Sequence, residues 1–168
     1  AASEIGFDVA GVAVIGLGSG SLRPTITFGT NTTATVAVTA ANFSVQNIIF
    51  VSNKADVVTC FAVTTAKDFT VEHCEFRDTS ASLNFLHVID TNATANAADG
   101  LYFCHNKIKS LGTTAATTPL QLDETIDRMV VNHNLFTGAD VDNTPCLIEA
   151  DTFDLTHVEI AYNKCYRL

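Results

Sequence analysis

An internal repeat constrains the fold of this chain more than any other feature. Five eight-residue segments, which begin at residues 43, 69, 101, 129 and 158, align without gaps, and a weaker sixth copy begins at Val12. The five segments are FSVQNIIF, FTVEHCEF, LYFCHNKI, MVVNHNLF and VEIAYNKC. Their spacing of about 26 to 32 residues is typical of solenoids, in which each coil contacts only its neighbours.

Each copy alternates apolar and polar residues, is interrupted by a polar pair, and ends on a further apolar residue. This pattern predicts a short strand, a tight bend and a second strand. A further strand is predicted before each copy, in TVAVTA (35–40), CFAVTT (60–65), FLHVID (85–90), PLQLDE (119–124) and CLIEAD (146–151). We therefore predict an all-β chain that forms a right-handed parallel β-helix of about six coils. Residues 1–168 are expected to form a single domain, and the sequence leaves open whether they belong to a longer chain.

The polar pair predicts two ladders of stacked side chains at the bend. Asn106, Asn134 and Asn163 share one column of the alignment, and their amides are expected to hydrogen-bond from coil to coil. His73, His105 and His133 share the preceding column. The outer two histidines would lie about 9.6 Å apart, which is too far for them to share one zinc ion. We therefore predict a structural ladder, and we predict no metal ion and no other cofactor.

Composition excludes several classes of function. The net charge is −9, Trp is absent, and Lys and Arg are scattered singly, so we predict no basic face and no binding to nucleic acid. No apolar run approaches the roughly 18 to 20 residues of a membrane-spanning helix, so no membrane partner is expected. An odd number of cysteines lies within apolar stretches, which favours reduced core thiols: Cys60, Cys74, Cys104, Cys146 and Cys165.

The string GVAVIGLGSGSLRPTITF (11–28), with copies such as VEHCEF and VNHNLF, resembles right-handed parallel β-helix proteins encoded by bacteriophages. More distantly the chain resembles the pectate-lyase-like superfamily, which includes polysaccharide lyases, glycoside hydrolases and tailspikes. The resemblance implies a non-catalytic virion protein: a capsid decoration or cement protein, a head fibre or a tailspike-like fibre. It also implies a homotrimer that contacts capsid or tail proteins or surface glycans, in a virion assembled in the host cytoplasm.

A polysaccharide-degrading enzyme is the alternative. Carboxylates lie at the ends of the second strands of three successive coils, and some of them are expected to form an acidic strip on one outer face: Asp90, Asp123, Glu124, Glu149 and Asp151. Asp90, Asp123 and Glu149 would serve as catalytic acids of a hydrolase or lyase. A solvated acidic face is the favoured interpretation, and we predict no catalytic residues. A bacterial adhesin would share the fold but is expected to carry a secretion signal.

Other polar residues gain no function from the sequence. His87 and His157 are predicted to face outward, and no partner is predicted for either. Glu75, Arg77 and Asp78 are predicted to form a local outward cluster, and no arginine is placed beside the acidic strip.

Overall fold

A computed structural model shows that the repeat folds as a parallel β-solenoid, described over residues 4–91, 94–112, 117–138, 147–150 and 154–167. The strands of the first three levels are β1 (Glu4–Phe7), β2 (Ala13–Ile15), β3 (Thr25–Phe28), β4 (Thr35–Val38), β5 (Ser44–Gln46), β6 (Ile49–Ser52), β7 (Val57–Val63), β8 (Thr70–Glu72) and β9 (Glu75–Asp78). The remaining strands are β10 (Phe85–Thr91), β11 (Tyr102–Cys104), β12 (Lys107–Lys109), β13 (Thr118–Leu122), β14 (Ile126–Asp127), β15 (Val130–Asn132), β16 (Leu135–Gly138), β17 (Ile148–Ala150), β18 (Leu155–Thr156), β19 (Glu159–Ala161) and β20 (Lys164–Arg167).

The strands stack into three six-stranded sheets and one short pair, β14 with β18. Sheet A contains β1, β4, β7, β10, β13 and β17; sheet B contains β2, β5, β8, β11, β15 and β19; sheet C contains β3, β6, β9, β12, β16 and β20. All these pairings are parallel, so the parallel β-solenoid is confirmed. The chain makes about five turns rather than the six coils predicted, because six levels of strands are joined by five turns. The right hand of the winding stays a prediction.

The core follows from alternation along each strand, which turns every second side chain inward. In sheet B, for example, Val71, Phe103 and Val131 pair in register, and none of them is exposed. Aromatic rings stack between levels, as in the pair Phe50 and Phe76, whose centroids are 5.2 Å apart. Burying each such side chain contributes roughly 1.5 to 3 kcal/mol, so the stacked columns supply most of the stabilisation.

The chain passes from sheet B to sheet C through a column of residues with left-handed backbone angles. Asn47, His73, His105, His133 and Tyr162 all have φ between 54° and 57°. A second left-handed column joins sheet A to sheet B, immediately before each repeat: Gly11, Asn42, Asp68, Gly100, Arg128 and His157. For residues other than glycine this backbone conformation costs roughly 1 to 2 kcal/mol. Hydrogen bonds made by the neighbouring residues must offset that cost in both columns.

Three of the five cysteines are confirmed as buried thiols outside any disulfide: Cys60, Cys74 and Cys104. Burial raises the pKa of Cys60 and brings that of Cys74 to about 11, so both thiols are protonated at neutral pH. Cys165 is exposed, so the prediction of a core thiol is wrong there, and Cys146 lies outside the described residues. Within the described ranges, no helix has the length and apolarity needed to cross a bilayer.

Candidate functional site

The asparagine column forms a chain of hydrogen bonds that runs from level to level. The side-chain oxygen of Asn106 accepts a hydrogen bond from the backbone N–H of Cys74 at 2.9 Å, and that of Asn134 accepts one from Asn106 at 2.9 Å. The Asn163 oxygen takes the same role for Asn134. Each amide nitrogen also donates to a backbone carbonyl of the preceding level, as Asn134 does to Phe103 at 2.8 Å. These side chains therefore satisfy backbone groups that the bend leaves unpaired.

The histidine column lies outside this chain, at the surface. The rings of His73, His105 and His133 are exposed and stack with centroids 4.9 Å apart at both steps. Tyr162 continues the stack, again at 4.9 Å. The planes of His105 and His133 differ by 7°, whereas those of His73 and His105 differ by 25°. The middle step is therefore nearly parallel, whereas the first step and the step to Tyr162, at 28°, are both tilted.

A carboxylate accompanies that first step. Ligand atoms of Glu72, His73 and His105 all lie within 4.8 Å of one another. The Glu72 carboxylate accepts a hydrogen bond from the Gln46 side chain at 3.3 Å, and Arg23 donates to the backbone oxygen of His73 at 3.1 Å. Sequence reasoning missed Glu72, because its column reads Gln46, Glu72, Cys104, Asn132 and Ala161 and shows no repeat of chemistry.

The acidic residues of sheet A lie on one outer face, but they do not form a continuous row. Asp90 and Glu149 occupy the same outward column, with Gln121 between them. Asp123 follows at the end of β13, where it accepts a hydrogen bond from the Gln121 side chain at 2.9 Å. Glu124 is not part of this face, because its side chain is buried and accepts a hydrogen bond from the backbone N–H of Ala97. Asp151 lies outside the described residues.

The electrostatics of this face are unusual for an exposed sheet. Partial burial, reinforced by the charge of Asp123, raises the pKa of Asp90 to about 6. Burial lowers the pKa of His87, against the opposing effect of Glu149 and Asp123. His87 is therefore within electrostatic reach of the acidic residues, a relationship that the sequence did not reveal. His87 is half-buried, and Val88 and Ile89 after it are both buried, which breaks the alternation of β10.

Two cavities among the described residues lie away from the acidic face. One of about 160 Å³ is bounded by Ile5, Phe28 and Ala34, and one of about 150 Å³ by Ala34, Thr35 and Val58. Neither is lined by Asp90, Asp123 or Glu149. The acidic face is thus not the wall of either cavity.

Sheet C gathers cations that are scattered along the sequence. Lys107 and Lys164 lie in one outward column, and Arg77 and Lys109 in the next. Lys107, Lys109 and Lys164 are exposed. The expectation of no basic face is therefore wrong, since alternate residues of separate repeats meet on one sheet. The expected absence of nucleic-acid binding stays a prediction.

One carboxylate is embedded in this basic face. Glu75 forms ion pairs with Arg23 at 2.5 Å and with Arg77 at 3.5 Å. Asp78, predicted to belong to the same outward cluster, instead turns inward and accepts a hydrogen bond from the backbone N–H of Phe85. Alternation along β9 explains the difference, because Glu75 and Arg77 share one face and Asp78 faces the other.

The second left-handed column carries its own network of ion pairs. The Asp127 carboxylate contacts the His157 ring at 2.6 Å and Arg128 at 3.5 Å, and Arg128 also reaches Asp68 at 3.4 Å. The hydrogen bond from His157 lowers the pKa of Asp127. His157 thus has a partner that the sequence did not predict. These groups are largely solvated, which limits what each pair contributes to stability.

No protein-family model, no curated protein and no solved structure matches this chain.

Proposed function

We propose that this chain is a non-catalytic structural protein of a bacteriophage particle, of the capsid-decoration, head-fibre or tailspike-like type. In this proposal it assembles in the host cytoplasm, as a homotrimer, and remains bound to capsid or tail proteins in the virion. The sequence resemblance to phage β-helix proteins motivates the class of protein. The single observation that carries a binding role is the segregation of charge between two sheets of one rigid stack.

Sheet C supplies the docking face in this proposal. Arg77, Lys107, Lys109 and Lys164 project from three levels of a six-stranded sheet, whose strands are spaced about 4.8 Å apart. A pleated sheet presents this array as a broad surface rather than a cleft. Such a surface suits a broad anionic partner, because complementary charge guides docking and fixes its orientation.

Charge reversal on sheet C tests this role. Lys109→Glu should weaken binding to particles purified from the source of the protein and make the remaining binding less sensitive to salt. Lys54→Glu is the matched control, since it makes the same change of charge outside the strands of sheet C. Co-sedimentation over a salt series measures both. Equal binding by the two variants, or no binding by the unmodified chain, would contradict the proposed docking face.

The acidic face supports a second candidate, a glycoside hydrolase acting on bacterial surface polysaccharide. The pKa of about 6 at Asp90 would leave a protonated fraction under mildly acidic conditions, as a general acid requires. Glu149 lies two strands away in the same column, roughly 9.6 Å by strand spacing. That separation is close to the roughly 6.5 to 9.5 Å of inverting enzymes.

Polysaccharide cleavage separates the two candidates. Alanine at Asp123 and Glu149 should abolish cleavage if the chain is an enzyme and leave particle binding intact if it is a structural protein. Reducing-end release from host surface polysaccharide gives the first readout, and co-sedimentation gives the second. If the unmodified chain cleaves the polysaccharide and the alanine variants do not, the result favours the enzyme over the structural protein.

A further inference from the structure

The first step of the histidine column differs from the second in one chemical respect. Glu72 stands beside His73 and His105, and the ligand atoms of the three side chains lie within 4.8 Å of one another. At the next step, the positions that correspond to Glu72 hold Cys104 and Asn132. Within the described part of the chain, only the first step thus combines two imidazoles with a carboxylate.

We propose that Glu72, His73 and His105 form a binding site for a divalent transition-metal ion of the zinc type. Two imidazoles and one carboxylate form a ligand set that zinc and neighbouring first-row metals accept, and they leave further coordination positions for water or a partner's side chain. Calcium and magnesium are not the ions that this site would prefer, because both favour sites built from oxygen atoms.

Small side-chain rotations complete the geometry. Ligand atoms of one tetrahedral zinc ion lie about 3.4 Å apart, given bond lengths near 2.1 Å. The present separations of up to 4.8 Å must therefore shorten by about 1.4 Å. His73 and His105 have exposed rings that can turn their nitrogen lone pairs toward Glu72, and their planes already depart from parallel by 25°.

The backbone around the site is held in place by neighbouring levels. The N–H of His73 donates to the carbonyl of Cys104, and that of His105 donates to the carbonyl of Asn132 at 3.0 Å. Gln46 holds the carboxylate of Glu72 through a hydrogen bond. Bonds of this kind to a ligand orient it and strengthen metal binding. Metal binding therefore requires side-chain motion without rearrangement of the coil.

Zinc titration of the full, untagged chain tests the site. Isothermal titration calorimetry with zinc chloride should show one specific ion per chain, and calcium chloride should show none at the same concentration. His73→Asn and Glu72→Gln should each weaken zinc binding about tenfold or more, since each removes a ligand. Asparagine already occupies this bend column at Asn47 with φ 57°, so the fold should tolerate the histidine substitution.

His133→Asn is the matched control. It removes an exposed histidine of the same column, with φ 56° as in His105, but one step away from Glu72. Zinc affinity should be unchanged in this variant, and zinc should shift the imidazole NMR signals of His73 and His105 more than those of His133. Absence of specific zinc binding, or an equal loss in His133→Asn and His73→Asn, would overturn the site. The result is independent of the proposed virion role.

Discussion

At the scale of single residues, neighbouring columns of the same bend differ in what their side chains contact. Asparagine amides are turned inward and satisfy backbone groups, as Asn134 does for Asn106 and Phe103. The histidine rings beside them are exposed and contact mainly one another. Asparagine at this bend therefore supports stability, while histidine is available for binding.

The asparagine chain predicts a specific loss of stability. Asn134 is 2% exposed, so Asn134→Ala leaves the buried Asn106 N–H without its partner and removes a hydrogen bond to the Phe103 carbonyl. We expect a loss of about 2 to 4 kcal/mol in the free energy of unfolding, measured by urea denaturation. Asn163→Ala in the last level should cost less, because its surroundings are more exposed and water can replace the lost bonds. Equal losses would contradict this explanation.

Asp90 predicts a dependence of stability on pH. Its pKa of about 6 in the folded chain exceeds the roughly 3.9 of an unfolded aspartate, so the folded chain retains a proton that the unfolded chain loses. Ionisation of Asp90 therefore destabilises the fold as the pH rises from about 4 to 6. Asp90→Asn should raise stability relative to the unmodified chain at pH 7 but not at pH 4.

Urea midpoints at the two pH values measure this difference. Both chains retain His87 and Asp78, so the comparison largely cancels the titration of these groups. An equal effect of Asp90→Asn at both pH values would show that the carboxyl has an ordinary pKa.

Residue columns were predictable from the internal repeat, but contacts between columns were not. The repeat by itself places His73, His105 and His133 at equivalent positions. It could not show that Glu72 approaches two of these rings, because that contact depends on side-chain direction. It also could not show that His87 lies within electrostatic reach of the acids, because strict alternation fails within β10.

At the scale of structural elements, the strand, bend and strand of each repeat were predictable from alternation. FTVEHCEF, for instance, forms β8, a left-handed residue at His73, and β9. The second left-handed column was not predicted, because it lies outside the aligned repeat and its members are not of one residue type: Gly11, Asn42, Asp68, Gly100, Arg128 and His157. Its signal was present at the position just before each repeat, where four of the six are Gly, Asn or Asp, residues that favour left-handed angles.

Gly100 tests the requirement of that second bend. Its φ is +78°, and an added Cβ would overlap the carboxylate of Asp68. Gly100→Ala should therefore cost at least about 1 to 2 kcal/mol in the free energy of unfolding, from the left-handed backbone alone. Gly6→Ala is the matched control, since a Cβ there meets nothing within 4 Å and should leave stability unchanged or slightly raised. Thermal and urea unfolding of the two variants provide the measurement, and indistinguishable stabilities would contradict this role for Gly100.

At the scale of the whole molecule, the winding converts a one-dimensional repeat into faces of different charge. Cations from three levels meet on sheet C, whereas Asp90 and Glu149 meet on sheet A. Composition gave only the net charge of −9, which conceals this segregation. The segregation of charged residues between the sheets becomes visible only when the register of the strands is known, because the register decides which alternate residues share a face.

Particle imaging tests the proposal that this solenoid is a structural component of a bacteriophage virion. Particles purified from the source of the protein would be imaged by electron cryo-microscopy at a resolution that traces individual strands. We predict ordered copies of a three-sheet solenoid on the capsid or tail, with sheet C against a neighbouring protein. Particles that lack the chain, while the protein is recovered only in the soluble fraction, would contradict the claim.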